Sequence, residues 1–446
     1  MQIRGPVTLQ ENDKYLYGNE RQPETTTLLD SDDDGIPDFD EGLYTNVVAS
    51  EVGGWFSNRS SFSCPRVKPD LHTGDTVATL SPEDIEIVAA MGGSLAAGQG
   101  LWDPWFIEFR GASFAIGGDS NFDGLVTIPN ILLQFNDRLQ GVSHGMGTVD
   151  QLPHYQFNMA ESKATTRDMP QQAKELVSRL QGQMPYKVLA KRWVLLIMQV
   201  GTEEMCSCQA PSSSDLRHAI GILRKGIPRC LVVVVGPIHV ASSYSQNVNI
   251  LRGESCQCLQ DVTKSEYVQL TRDWHDMLHA VEAREINNLH YPTFGVYAMT
   301  QLDIHSRDPQ SLIVPGHPLL NRKGHSYAAK YVWNRLMAGP KFDTDKLVFS
   351  EDSYFCPSVG CPYFRTPLNF NSCTIQTEFE YQQYLANTPS PSTPRPTRVE
   401  TMQRNLGTII VSVTALSICS VSILGTIFYC HGLRATKGRF ENVQGV

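Results

Sequence analysis

The sequence predicts an α/β fold in which helices cover both faces of a mainly parallel, doubly wound sheet. From about residue 82 to 338, apolar runs of strand length alternate with amphipathic segments whose apolar residues recur at three-and-four spacing. Parallel strands need crossover connections, and helices supply them, so this alternation is typical of a doubly wound sheet. The chain has 446 residues, which is more than one such domain requires and predicts appendages.

The predicted strands share continuous apolar stretches, and the predicted helices share one apolar stripe each. The strands are expected at 85–91, 193–200, 230–236 and 294–299. The helices are expected at 169–180, 214–224, 266–286 and 325–337. A cysteine-bearing segment from 339 to about 385 is expected to pack back, giving a main domain at 81–385.

A transmembrane anchor is predicted near the C-terminus. The 24 residues at 406–429 carry no charged side chain, and about 20 suffice to cross the hydrocarbon layer. A buried core helix is the alternative. The tail at 430–446 holds three basic residues close to the span, which places it in the cytosol. With a Pro/Ser/Thr stalk at 386–405, the expectation is a single-pass, type I plasma-membrane protein with its main domain outside.

Composition narrows the classes of partner and the compartment. The net charge is -9 and no Lys/Arg run is present, which argues against nucleic-acid binding. Nine of the 11 cysteines precede the span, several in close pairs, and this favours extracellular disulfides over zinc. Asn58 begins a glycosylation sequon. Since the first ten residues contain no apolar run, we expect either translation from further upstream or insertion directed by the span.

An acidic loop at 30–41 lies within an irregular N-terminal region at 1–80. Its carboxylates alternate along the chain, and a glycine at the sixth position allows the sharp turn of a calcium loop. The flanks do not resemble the paired helices of an EF-hand, and a solvated acidic run is the alternative. The expected calcium ligands are Asp30, Asp32, Asp34, the Ile36 carbonyl, Asp38 and Glu41. No cofactor is expected for catalysis.

Ser94 is the candidate nucleophile. It follows the first predicted strand in a glycine-lined turn, which would lift its hydroxyl to the carboxyl end of the sheet. Active sites of α/β proteins form at that end of the strands. The alternative is an ordinary turn and helix N-cap hydroxyl.

Several ordered blocks of the sequence resemble the membrane-associated phospholipase B branch of the GDSL/SGNH hydrolases. The block at 89–98, AAMGGSLAAG, is similar to the family's A-A-x-G-D-S-L-T-A-G. The other matching blocks lie at 110–119, 127–132, 325–329 and 333–334, and the resemblance extends from about Cys64 to Cys373. It implies an SGNH-type, flavodoxin-like fold and hydrolysis of fatty-acyl esters of phospholipids through a serine ester.

The same resemblance implies that the catalytic machinery is degenerate. The family's base histidine and its orienting aspartate fall on Leu319 and Gly316, and the aspartate before the serine falls on Gly93. Its oxyanion glycine and asparagine fall on Lys163 and Glu203, which we expect to form an ion pair filling the former oxyanion hole. Losing triad members typically lowers turnover by ~10⁴–10⁶, and a carboxylate at an oxyanion position repels the developing charge.

The expected function is therefore a surface binding or adhesion module that is not a hydrolase. Its partner would be a phospholipid or acyl chain in the old cleft, or an extracellular protein. The alternative is an active membrane-bound phospholipase or lysophospholipase in which His317 substitutes as the base for Ser94, oriented by Asp303 or Asp308. A third hypothesis is a non-catalytic C-terminal repeat of a longer protein.

Overall fold

A computed structural model describes most of the main domain and the C-terminal helix. The described residues are 51–52, 64–120, 122, 125–242, 249–254, 256–286, 290–339, 354–387 and 405–436. The acidic loop at 30–41, the sequon at Asn58, most of the stalk and the last ten residues of the tail lie outside them.

A four-stranded parallel sheet forms the centre of the main domain and confirms the predicted fold class. The strands are β1 (Glu51–Val52), β2 (Ile85–Gly92), β3 (Trp193–Gln199), β4 (Cys230–Val235), β5 (Ile238–Ala241), β6 (Phe294–Met299), β7 (Leu302–His305) and β8 (Tyr354–Phe355). The order in the central sheet is β2-β3-β4-β6, and each of these strands begins and ends within one residue of its predicted bounds. β5 and β7 form a separate parallel pair, and β1 and β8 form an antiparallel pair.

The continuous apolar runs form strands because the central sheet is buried on both faces. Every residue of β3, β4 and β6 is buried, and the Val-rich β4 suits a pleated, buried surface. Isolated parallel bridges join Ile87 to Gln140 and Ala90 to Asn158 beyond the outer edge of β2. The spatial order is thus the flavodoxin-like 2-1-3-4-5, with single bridges in place of the second strand.

The four predicted helices are confirmed at Met169–Gln183, Ser213–Gly226, Lys264–Ile286 and Arg322–Ala338, and they are two to four residues longer than expected. The helices are α1 (Ser94–Ala97), α2 (Ile128–Leu132), α3 (Met169–Gln183), α4 (Tyr186–Leu189), α5 (Thr202–Cys206), α6 (Ser213–Gly226), α7 (Gln257–Asp261), α8 (Lys264–Ile286), α9 (Arg322–Ala338), α10 (Glu378–Asn387) and α11 (Leu406–Thr436). The extension of α9 has a clear cause. The Asn321 side chain accepts a hydrogen bond from the Gly324 N–H at 3.0 Å, so an N-cap rather than apolar periodicity sets the start.

Four disulfides link cysteines that the sequence left unassigned. They join Cys64 to Cys356, Cys206 to Cys256, Cys208 to Cys258 and Cys361 to Cys373. The two C-x-C motifs are therefore bonded to each other, which ties α5 to the start of α7. The ninth cysteine before the span, Cys230, is a buried free thiol in β4.

The chain divides into two compact units, 1–378 and 379–446, and α11 belongs to the second. Within α11, Leu406–His431 is long and apolar enough to cross a membrane, by length and composition. Six of its serine and threonine hydroxyl groups donate to carbonyls one turn earlier, as Ser412 does to Thr408 at 2.8 Å. Such internal bonding suits a helix in lipid, where no water is available to polar groups.

Candidate functional site

Ser94 lies at the carboxyl end of β2, at the first position of the short helix α1. Only 4% of the residue is exposed. The turn before it depends on Gly92, which has a φ of +133° and whose Cβ, if present, would meet the Gln199 carbonyl oxygen at 2.0 Å. A glycine is needed there because β2 and β3 approach each other closely at this point.

The Ser94 hydroxyl has two hydrogen-bond partners. It donates to Glu203 Oε1 at 2.7 Å and accepts from the backbone N–H of Lys163 at 2.9 Å. Glu203 lies in the first turn of α5, directly after β3. Since β2 and β3 are parallel neighbours, their carboxyl ends bring the serine and the glutamate together. Across the described ranges, no imidazole bonds to this hydroxyl.

Lys163 keeps the backbone of the glycine that the resemblance places there. Its φ is +64°, in the left-handed region that residues with a Cβ rarely adopt. This conformation directs the Lys163 N–H at the Ser94 hydroxyl oxygen. The expected ion pair between Lys163 and Glu203 is not formed in the described part of the chain: Lys163 is exposed, and the half-buried Glu203 carboxylate accepts the Ser94 hydroxyl instead.

Glu204 is a buried carboxyl group beside the site that the sequence reasoning did not single out. Its Oε1 accepts a hydrogen bond from the Thr166 N–H at 2.6 Å. Burial raises its pKa, partly opposed by the bonds from Thr166. The signal in the sequence was the pair of adjacent acidic residues just after a buried strand, because neighbouring residues of a helix point in different directions.

The positions of the family's base and orienter lie in a tight turn before α9. Leu319 is buried, and its carbonyl accepts a hydrogen bond from the Val314 N–H. Gly316 has a φ of +75° at the tip of this turn. The His317 ring stacks on Trp105 with ring centroids 3.9 Å apart. That stacking holds the imidazole against the Trp105 ring, and the imidazole makes no hydrogen bond to Ser94.

Asp303, the first alternative orienter, belongs to a different cluster. Its Oδ1 lies 2.8 Å from His239 Nδ1 and 2.8 Å from His305 Nε2. Burial alone would raise the Asp303 pKa, but these two histidines lower it to about 2. The other alternative, Asp308, precedes a 3₁₀ turn and accepts a bond from Ser311 through its carbonyl. The rearranged triad of the sequence hypothesis is therefore not assembled.

The space beside Ser94 is narrow. Its walls include Gly93, Ala164, Gly201, Glu203 and Pro318, and they leave no room for a water-sized sphere. An acyl chain would have to displace these walls in order to reach the hydroxyl.

The family described as GDSL-like Lipase/Acylhydrolase matches residues 88–332, more than half of the 446-residue chain. The chain belongs to this family. The matched part of the GDSL-like domain begins in β2 and ends in α9, so it contains Ser94, Lys163 and Glu203.

Relatives of this GDSL-like chain carry the name "Phospholipase B1, membrane-associated". The chain is 28% identical to the Homo sapiens protein over 369 residues, covering 75% of this chain and 24% of that protein. It is 26% identical to the Rattus norvegicus protein over 384 residues, covering 77% of this chain and 26% of that protein. The chain thus spans about a quarter of the length of these relatives. The homology supports a lipid-related hydrolase family, and together with α11 it suggests association with a membrane.

Proposed function

We propose that this chain is a membrane-anchored, phospholipase B-like domain whose Ser94 site is catalytically silent and which acts as a binding or adhesion module. The observation that carries the proposal is the 2.7 Å hydrogen bond from the Ser94 hydroxyl to Glu203. It supports a site in which the hydroxyl at the nucleophile position makes a structural hydrogen bond.

The energetics favour a site without hydrolytic activity. Imidazole is the usual base for a serine, and a glutamate carboxylate is ordinarily weaker by about two pKa units. A carboxylate 2.7 Å from the serine oxygen also places negative charge close to the carbon that the serine would attack, and so near the developing oxyanion. Losing one oxyanion donor typically lowers turnover by ~10²–10³, and a fixed negative charge adds to that loss. The retained Lys163 N–H, at 2.9 Å, offsets only part of it.

A second candidate is an active phospholipase or lysophospholipase that uses a Ser94–Glu203 dyad. The same hydrogen bond favours it, because a proton acceptor lies within reach of the hydroxyl. In that case Glu203 takes the serine proton, and the Lys163 N–H is the oxyanion donor.

One experiment separates the two functions. The full chain, in detergent micelles containing a panel of phospholipids and lysophospholipids, is treated with a serine-reactive fluorophosphonate, with Ser94→Ala as the background control. We expect neither labelling at Ser94 nor release of fatty acid above that control. Labelling and release that Glu203→Gln abolishes would establish the dyad instead.

A gain-of-function variant tests the silent site from the other direction. The substitutions restore the family residue at each degenerate position: Gly93→Asp, Lys163→Gly, Glu203→Asn, Gly316→Asp and Leu319→His. We expect fatty-acid release from this variant, with Ser94→Ala in the same background as its control. A Cβ at Gly93 would meet the Ala164 carbonyl oxygen at 2.9 Å, so the Gly93 change also requires a small shift of the backbone at Ala164.

The surroundings of the domain form part of the proposal. The main domain faces outward, is glycosylated at Asn58 and binds Ca²⁺ weakly at 30–41, while the tail at 430–446 is cytosolic. Its partner is a phospholipid or acyl chain, or an extracellular protein. Protease protection of the tail in sealed cells, together with a shift in mass after glycosidase treatment, tests the orientation.

A further inference from the structure

Outside the Ser94 site, two short strands carry three side chains of the kinds that bind metal ions. β5 and β7 pair in parallel, with His239 opposite Asp303 and Ala241 opposite His305. Alternate residues of a strand face the same side, so Asp303 and His305 share a face. One ligand atom from each of the three residues His239, Asp303 and His305 lies within 4.8 Å of the others.

The distances in this cluster are close to those of a metal site. Asp303 Oδ1 lies 2.8 Å from both His239 Nδ1 and His305 Nε2. Zinc binds imidazole nitrogen and carboxylate oxygen at about 2.0–2.2 Å, which sets neighbouring ligand atoms roughly 3.3 Å apart in a tetrahedron. Each contact to the carboxylate therefore has to lengthen by about half an ångström. His305 and Asp303 are the two less buried side chains of the three, so they are the ones that would move when an ion binds.

The backbone that presents His239 is fixed on both sides. Asn249 Nδ2 donates to the Ile238 carbonyl at 3.1 Å, and Asn249 Oδ1 accepts from the Val240 N–H at 3.4 Å. The same amide donates to the Tyr267 hydroxyl at 3.0 Å, which anchors it on α8. A ligand held on a rigid support loses little conformational freedom when a metal binds.

The cluster is closed on one side and open on the other. The side chain of His239 is 3% exposed, whereas those of His305 and Asp303 are 12% and 24% exposed. Three protein ligands with a fourth position open to solvent are the arrangement of zinc sites that bind water or another ligand. Two neutral imidazoles and one carboxylate leave a divalent ion with one net positive charge, which suits an anionic oxygen ligand.

We propose that β5 and β7 hold one divalent ion of the zinc class through His239 Nδ1, the Asp303 carboxylate and His305 Nε2, with a fourth position open to water or an anionic oxygen. This site lies outside the Ser94 cluster and does not depend on whether Ser94 hydrolyses esters.

Spectroscopic titration with Co²⁺ tests the site in the full chain. The detergent-solubilised protein is stripped with a chelator, held in saturating Ca²⁺ to occupy oxygen-ligand sites, and titrated with Co²⁺ and then Zn²⁺. We expect one equivalent of Co²⁺ with tetrahedral visible absorption, displaced by Zn²⁺. The absence of a thiolate charge-transfer band is expected to exclude the free cysteines as ligands.

Variants decide whether these three residues are the ligands. His305→Ala and Asp303→Asn should each weaken binding by more than the roughly 10–100-fold that loss of a supporting contact causes. His144→Ala is the matched control, since His144 forms an exposed pair with Asp119 at 3.2 Å and should bind like the wild type when changed. Asp303→Asn keeps the side-chain shape, so it decides the outcome if His305→Ala does not fold. A wild type without a bound equivalent, or ligand variants that bind like the control, would overturn the proposal.

Discussion

Replacing Ser94 by alanine tests whether the hydroxyl at the centre of the site is structural. In an active enzyme, the catalytic serine is often a source of strain, and removing it leaves stability unchanged or raises it. In this chain the hydroxyl holds two elements together, because it bonds to Glu203 on α5 and to the Lys163 backbone. We therefore expect Ser94→Ala to destabilise the fold.

The magnitude follows from the two bonds. The O–H donated to the Glu203 carboxylate is a charge-assisted bond worth about 1.5–3 kcal/mol, and the bond accepted from the Lys163 N–H is worth about 0.5–1.5 kcal/mol. Because Glu203 is half-buried, water replaces part of the lost interaction. The expected loss in the free energy of unfolding is about 2–3 kcal/mol.

Urea unfolding of the full chain in detergent, with its disulfides oxidised, measures this loss by tryptophan fluorescence. Glu203→Gln is the partner variant: it keeps an acceptor oxygen but removes the charge, so its loss should be about half as large. The double variant should lose less than the sum of the single losses, because the two residues share one bond. A Ser94→Ala protein as stable as the wild type would refute the structural role.

Three other tests, two of them substitutions, have definite expected outcomes. Lys163→Gly should raise the free energy of unfolding by about 0.5–1 kcal/mol. Removing the Cβ relieves ~1–2 kcal/mol of strain at the positive φ, and the greater flexibility of glycine in the unfolded chain cancels ~0.5–1 kcal/mol of that gain. An unchanged or lower urea midpoint would contradict this. Burial raises the Glu204 pKa above the 4.5 that is usual for a glutamate, so the folded state binds a proton more tightly than the unfolded state. The wild type should then lose stability relative to Glu204→Gln as the pH rises above 4.5 through the folded pKa, and parallel pH profiles of unfolding would count against it. The fully buried Cys230 thiol, whose pKa is raised by burial, should resist alkylation until the chain unfolds, as mass spectrometry of its peptide can check.

The sequence alone could predict the features that depend on residues close together in the chain. The central strands and the four long helices follow from local pattern, because burial on both faces requires continuous apolar runs and burial on one face requires a stripe. The position of Ser94 at the end of the first central strand follows for the same reason. Family resemblance added the meaning of Lys163 and Glu203, which local pattern could not supply.

The tertiary structure decided every feature that joins distant parts of the chain. The Ser94–Glu203 bond spans 109 residues, and the parallel pairing of β2 with β3 creates it. The Asp303 cluster and the pairing of the C-x-C motifs arise in the same way, from strand register and helix packing that no local pattern encodes. Local sequence sets which segments become strands and helices, since that choice depends on neighbours in the chain. Which side chains then come into contact depends on the three-dimensional arrangement of those segments, and the chemistry of the site depends on those contacts.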